Sequence, residues 1–191
     1  MQRDDKVGQE ATLIDVLSHR IGLTGANALW IQRNQNFMMP KNETVRTAAY
    51  IDAIVPFRSE FSYNNWAYGL VTALIEQVTG LTYGTFVREN IFKPLGLKRT
   101  TLDVPNDDNV ASANMVHRDG SSCQIQPAPS SALTGLAGAG GGKSSLSDLL
   151  YLYKSLLSQY TQEVSHENMT IPQSSSPFRQ VTNMFEVRIP I

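Results

Sequence analysis

The residues predict a mixed α and β chain in which helix dominates and strands are short, and three observations carry that reading. From Trp66 to Val78 the apolar residues Ala67, Leu70, Val71, Leu74, Ile75 and Val78 recur at helical spacing, with Gly69, Thr72, Glu76 and Gln77 gathered on the other side. From Leu146 onward Leu149, Leu150, Tyr153, Leu156 and Leu157 repeat the same period. Against these stands one short strand candidate, Ala113–His117, turning at Asp119-Gly120.

In chain order, residues 1–11 are polar and read as a tail that runs into a capped helix. Thr12-Leu13-Ile14-Asp15 sets a hydroxyl cap three residues before a carboxylate, with Leu13, Val16 and Leu17 apolar. That helix ends at Ser18-His19-Arg20, and Gly22 breaks the chain. Residues 26–43 lack periodicity and read as a loop with about one turn of helix. Thr44 is placed to cap a helix from Val45 to about Ala53, which Pro56 closes. Asn64 or Asn65 caps the central helix, and Gly80 stops it. Thr82 caps a second amphipathic helix in which Tyr83, Phe86, Val87, Asn90 and Ile91 share a face, halted at Lys93-Pro94. Residues 100–112 read as a polar loop. Gly135 to Gly142 hold five glycines, too many for regular structure and enough for close backbone packing. Ser144 or Ser145 caps the last helix, and residues 158–176 read as polar loop. Both ends are expected to be cut, because residues 1–11 resemble the tail of something and Arg-Ile-Pro-Ile has no stop signal.

Bulk properties narrow the function. A chain of 191 residues can bury a real core. Its 41% hydrophobic and 17% charged residues, with a net charge of −1, leave no electrostatic footprint for nucleic acid or an acidic membrane surface. The single cysteine, Cys123, excludes an internal disulfide and a thiolate zinc site, and its Gly-Ser-Ser-Cys turn marks it as a surface thiol. No apolar run is long enough to span a bilayer. The polar N-terminus does not read as a signal peptide, so the cytoplasm is the default expectation.

Few residues carry chemistry. Tyr63 and Asn65 stand two apart just before the central helix, and an extended step there would point both side chains into the space at the helix mouth. They are a phenol and an amide arranged for chemistry, or a buried tyrosine followed by a cap. His19, at a helix end, is expected to bond a backbone carbonyl or face the dipole, with a catalytic role as the alternative. His117 should point outward on its strand, and His166 lies in a polar stretch far away. Ala137-Gly-Ala-Gly-Gly-Gly-Lys143-Ser144 fits a relaxed phosphate-loop pattern, in which backbone N–H groups and the lysine hold a nucleotide. Its context opposes that reading: Gln126-Pro-Ala-Pro precedes it where a buried strand should stand.

Four segments in order resemble the β-lactamase-related serine hydrolases, which comprise class C β-lactamases, DD-peptidases, and esterases and acyltransferases of the same fold. Thr12-Leu-Ile-Asp-Val-Leu-Ser-His-Arg-Ile-Gly-Leu23 is similar to the family's T-I-R-D-L-L-S-H-R-S-G-L. Phe61-Ser-Tyr-Asn-Asn65, with the helix to Val78-Thr-Gly80, resembles F-x-Y-S-N-x-x-Y-x-L-L-G-x-I-I-E-x-V-T-G. Asn90-Ile-Phe-Lys-Pro-Leu-Gly-Leu97-x-x-Thr100 resembles I-F-x-P-L-G-M-x-x-T. Ala137-Gly-Ala-Gly-Gly, with Ser145-x-x-Asp148-Leu149, resembles A-G-G-L-x-S-T-A-x-D-L. The match covers residues 12–157, and Ser176 onward fits the family's fungal members more loosely.

The resemblance implies an α/β (α+β) fold of the β-lactamase/transpeptidase type, here mainly its helical lobe with part of the antiparallel sheet missing, and residues 1–191 as a single partial domain. It implies a serine of Ser-x-x-Lys acylated by a small-molecule ester or amide, with no cofactor and no metal. Tyr63 becomes the general base and Asn65 the amide that orients the lysine and the substrate carbonyl. The chain departs from the family at the nucleophile, for no serine lies three residues before Lys6, Lys41, Lys93, Lys98, Lys143 or Lys154. The later Lys/His-Thr-Gly strand is also missing, since Leu133 precedes Thr134-Gly135. The expectation is an internal piece or truncated form of a longer hydrolase, inactive alone, with Tyr63 a poor base. Apolar helix faces left uncovered should make it marginally stable or self-associating. A non-catalytic scaffold derived from the fold is the alternative, and a nucleotide-binding phosphate loop the less favoured one.

Overall fold

The Trp66–Val78 periodicity becomes the longest fully described helix of the protein. In a computed structural model that describes residues 5–30, 37–105, 108–127 and 130–166, seven α-helices and one hairpin follow in chain order. They are α1 (Asp5–Glu10), α2 (Leu13–Leu17), α3 (Thr44–Ala48), α4 (Asn65–Thr79), α5 (Tyr83–Val87), β1 (Asn114–Val116), β2 (Ser122–Gln124), α6 (Ala137–Gly140) and α7 (Leu146–His166). Helix α5 runs on as a π-turn, Arg88–Phe92, and short 3₁₀ turns occupy Asn27–Leu29 and Lys41–Glu43. The strands pair antiparallel with Met115 opposite Cys123, so the protein is helix-rich with a small two-stranded antiparallel sheet.

The helix ends are set by capping. Thr12 and Asp15 close the capping box in both directions, the Asp15 N–H on Thr12 Oγ1 at 3.3 Å and the Thr12 N–H on Asp15 Oδ2 at 2.9 Å. Asn64 caps α4 through the Ala67 N–H, and Gly80 ends it in the left-handed region at φ 68°. Thr82 caps α5 and Ser145 caps α7.

Several expectations are corrected. The polar stretch ahead of Thr12 is not without structure where it is described, because Asp5–Glu10 is helical and Val7 is buried in the core. Thr44 is inside α3 rather than its cap, because the Lys41–Glu43 turn leads straight into the helix and α3 stops at Ala48. The glycine run contains one helical turn, α6, and α7 continues through His166 where a loop was expected.

The largest revision concerns α4. Of the side that reads as polar, Gly69 and Thr72 are buried against the glycine segment, Glu76 is half-buried in an ion pair with Lys41, and Gln77 is exposed. The core gathers behind it: Trp30 and Trp66, both buried with ring centroids 4.3 Å apart, sit among Val7, Ile21, Leu23, Ala48, Ile51 and Ala67. A second cluster, Phe86, Val87 and Leu102 with Ile75 and Ile91, holds α5 to the far end of α4.

Gly135 makes this approach possible. A Cβ there would stand 2.3 Å from Trp30 Cζ3 and 2.6 Å from Thr44 Oγ1, against side chains too deeply buried to move. Gly135→Ala is therefore expected to cost about 1–3 kcal/mol through overpacking, read as a lowered urea midpoint. An unchanged midpoint would show that the tryptophan pair has room to yield.

Candidate active site

The mouth of α4 is built from one short extended segment. Asn64 has extended backbone, φ −146° and ψ 114°, so its neighbours Tyr63 and Asn65 project to the side opposite its own. Asn64 is fully buried. Its Oδ1 accepts the Ala67 N–H at 3.2 Å, and its Nδ2 donates to the carbonyls of Leu23 at 2.9 Å and Thr24 at 3.0 Å. Tyr63, by contrast, is 60% exposed, which overturns the reading of it as a buried core residue.

Tyr63 and Asn65 meet. The Tyr63 hydroxyl donates to Asn65 Oδ1 at 3.0 Å, and Asn65 Nδ2 donates to Asn27 Oδ1 at 3.1 Å. The amide is thereby held with its oxygen toward the phenol. With its proton turned to Asn65, the phenol oxygen keeps lone pairs for a donor approaching from outside. Asn27 sits on the 3₁₀ turn of a stretch without periodicity, so nothing in the sequence marked it.

His19 also joins this group. Its ring lies 4.7 Å from that of Tyr63, 5.2 Å edge-on from Phe61 and 5.3 Å from Tyr68. The expected bond to a carbonyl does not describe it: Nδ1 accepts the Asn64 N–H at 3.0 Å. Burial pushes its pKa below the ordinary histidine value. His117 is exposed, but it lies just past β1, whose three residues are all exposed, so strand alternation does not account for it. The side chain of His166 lies outside the described residues, as does the segment from Ser176. Cys123 lies in β2, partly buried, rather than in the turn before it.

An ion pair joins α2 to the segment that precedes the site. Asp15, buried, takes Arg58 side-on, Nε to Oδ1 and Nη2 to Oδ2, both at 2.8 Å, and also accepts from the Thr12 hydroxyl. The guanidinium, as the strongest influence, holds the Asp15 carboxyl far below the usual carboxylate range. Arg20 in turn bonds the Arg58 carbonyl, so the ion pair ties α2 to the segment leading into Phe61.

The phosphate-loop reading is corrected here. Lys143 Nζ is spent on the carbonyls of Leu102, Ser130 and Gly141, and the Lys143 backbone bridges Thr101. Its amine thus fixes the glycine segment internally instead of facing a phosphate. Among the described residues no group of three or more His, Cys, Asp and Glu is arranged to hold a metal ion. No described helix is long and apolar enough to cross a membrane.

This geometry coincides with a family match. The model of the family described as Beta-lactamase matches residues 2–185. The chain belongs to the Beta-lactamase family. As a family member it is 28% identical over 141 residues to the unguisins hydrolase ungD' of Aspergillus campestris, which spans 72% of this chain and 26% of that protein. Among solved structures it resembles the D-amino acid amidase of Ochrobactrum anthropi, with TM-score 0.61 and 20% identity over 79% of this chain and 45% of that one. It resembles also EstCE1, a hydrolase with promiscuous acyltransferase activity, with TM-score 0.57 and 23% identity over 74% and 44%. The Beta-lactamase family chain thus spans about a quarter of the curated relative. These neighbours share the fold, and the helix-rich architecture with its small antiparallel sheet fits it.

The Asp15–Arg58 pair gives a pH prediction. A carboxyl depressed in the native state contributes stability that is fully present above the unfolded carboxylate pKa, about 3.9, and is lost progressively as pH falls from there toward the lower native value. Asp15→Asn should lower stability at neutral pH by roughly 1.5–3 kcal/mol, the worth of hydrogen bonds to a charged group. The deficit should shrink between about pH 5 and pH 2. Thermal midpoints across that range check this, and a pH-independent deficit would assign the effect to packing.

Proposed function

We propose that this chain carries the proton-transfer half of an acyl-transfer site, that of a serine hydrolase or acyltransferase acting on a small ester or amide through an acyl-enzyme. In this reading Tyr63 is the general base that takes the proton of the nucleophile and returns it to the leaving group. Asn65 orients the partner lysine and the substrate carbonyl. The observation that carries the reading is the Tyr63–Asn65 pair itself, bonded at 3.0 Å and open to solvent on a rigid helix start. Family membership supports it, and so do the names of relatives: one is an unguisins hydrolase, one an amidase, one a hydrolase with acyltransferase activity.

The nucleophile decides what this chain does alone. The residues three before its lysines are Arg3, Met38, Asn90, Leu95, Gly140 and Tyr151, none of them serine. A phenol serves as base only when a cation favours its phenolate, and in the family's site the nucleophile motif supplies that lysine. We therefore take residues 1–191 as a single partial domain that forms no acyl-enzyme by itself.

Two measurements test this. The 191-residue chain should show no turnover of nitrocefin or a p-nitrophenyl acyl ester and no labelling by a fluorophosphonate. Joined to a Ser-x-x-Lys helix it should hydrolyse the ester, and Tyr63→Phe should then lower kcat by about 10²–10⁴-fold, the usual worth of a general base. Turnover by the chain alone would overturn its inactivity. An unaffected Tyr63→Phe in the joined protein would overturn the role of Tyr63.

Helix α7 supports one further property. Leu146, Leu150, Tyr153 and Leu157 on it are exposed, and such a stripe favours self-association. Sedimentation velocity at rising concentration should show species heavier than the monomer. A single cooperative unfolding transition of a monomer counts against it.

A further inference from the structure

His19 occupies a backbone position that favours a different residue. After α2 the Arg20 N–H bonds the Asp15 carbonyl at 2.8 Å and the His19 N–H bonds the Val16 carbonyl at 3.2 Å, the double bond pattern of a helix ended by a left-handed residue. His19 is that residue, at φ 58°. Glycine sits there without strain, and asparagine tolerates it. A histidine costs about 1–2 kcal/mol of backbone strain at such a position, so its ring must return something that glycine cannot.

What the ring adds is the second arm of a clamp whose first arm is backbone. The His19 carbonyl accepts the Ser62 N–H at 2.9 Å, and its Nδ1 accepts the Asn64 N–H at 3.0 Å. Tyr63 lies between those two bonds, with its ring against the imidazole at 4.7 Å. We propose that His19 is a positioning residue whose neutral imidazole, protonated at Nε2, holds Tyr63 in place beside Asn65. The tautomer follows from the partner, because a backbone N–H can only donate and Nδ1 must therefore be bare. The proposal rests on the acyl-transfer reading for its function, though not for its geometry.

The surroundings favour the neutral ring. Around it stand the phenols of Tyr63 and Tyr68 and the ring of Phe61, while the carboxylate of Asp15 is taken up by Arg58 and Thr12. Protonating Nδ1 would set two donors against each other and open the clamp. Burial lowers the pKa of the imidazole, so this contribution to stability is complete above the unfolded value, about 6.5, and is lost as pH falls below it.

Two substitutions separate clamp from cap. His19→Gly relieves the backbone and removes the ring; His19→Asn tolerates the backbone and returns an oxygen near the place of Nδ1. NMR of the 191-residue chain reads the outcome. In the native protein the His19 ring should show the Nε2–H tautomer, and the Asn64 amide and Tyr63 ring signals should move together with a midpoint below about 6.5. In His19→Gly the Asn64 amide should exchange about tenfold faster, as for a lost hydrogen bond, with the Tyr63 ring displaced. His19→Asn should restore both and abolish the pH transition. A glycine variant that leaves the Asn64 and Tyr63 signals in place, or native signals that ignore the His19 titration, would overturn the proposal. Neither result depends on turnover: if Tyr63→Phe proves harmless while the clamp signals hold, the acyl-transfer reading fails and the clamp stands.

Discussion

The Asn64 side chain is the contact on which the rest of the site depends. Its amide has one acceptor and two donors in use, and each joins a different part of the chain: the first turn of α4, the carbonyl of Leu23 and the carbonyl of Thr24. Aspartate would keep the cap and set a charge against two carbonyls; serine would keep the cap and leave both carbonyls bare. Because the group is fully buried, each partner left unsatisfied costs about 1–3 kcal/mol. One residue thus both starts the long helix and anchors it to the loop that follows α2.

That anchoring explains how accessible groups are held still. Tyr63 and Asn65 flank a residue locked in the core, and extended backbone at Asn64 turns both to the open side. The Asp15–Arg58 fork and the Arg20 bond to the Arg58 carbonyl fix the segment before them. The chain therefore spends buried polar contacts, which are costly to misplace, on the few residues around the phenol. What these contacts set is the place of the Tyr63 phenol beside the Asn65 amide.

Much of this was legible in the sequence, and the misses share a cause. Caps declare themselves locally: Thr12 with Asp15, Asn64, Gly80, Thr82 and Ser145 all act as their residue types suggest. The spacing of Tyr63 and Asn65 gave their common direction once the step proved extended. Thr44 misled because it looks like a cap, yet it is buried inside α3 beneath Gly135 and Trp30. The side of α4 bearing Gly69 and Thr72 read as polar for the same reason. Periodicity ranks residues by hydrophobicity, whereas tertiary packing also selects small ones, and only the structure shows what comes close enough to need them.

The glycine run carries that argument furthest. Five glycines ahead of Lys143-Ser144 suit a phosphate cradle and close packing equally well, since both require backbone without side chains. What separates the two is the lysine. A phosphate site needs a free ammonium, whereas Lys143 Nζ donates to Leu102, Ser130 and Gly141, and burial pushes its pKa down. Gly138 meanwhile faces Thr72, whose hydroxyl would lie 2.3 Å from an added Cβ, and Thr72 turns that hydroxyl back to the Tyr68 carbonyl. The segment is thus closed by its own lysine and pressed against α4, on the same helix that presents Tyr63 and Asn65 at its start. Its glycines serve the packing of that helix, and through it the placement of the site.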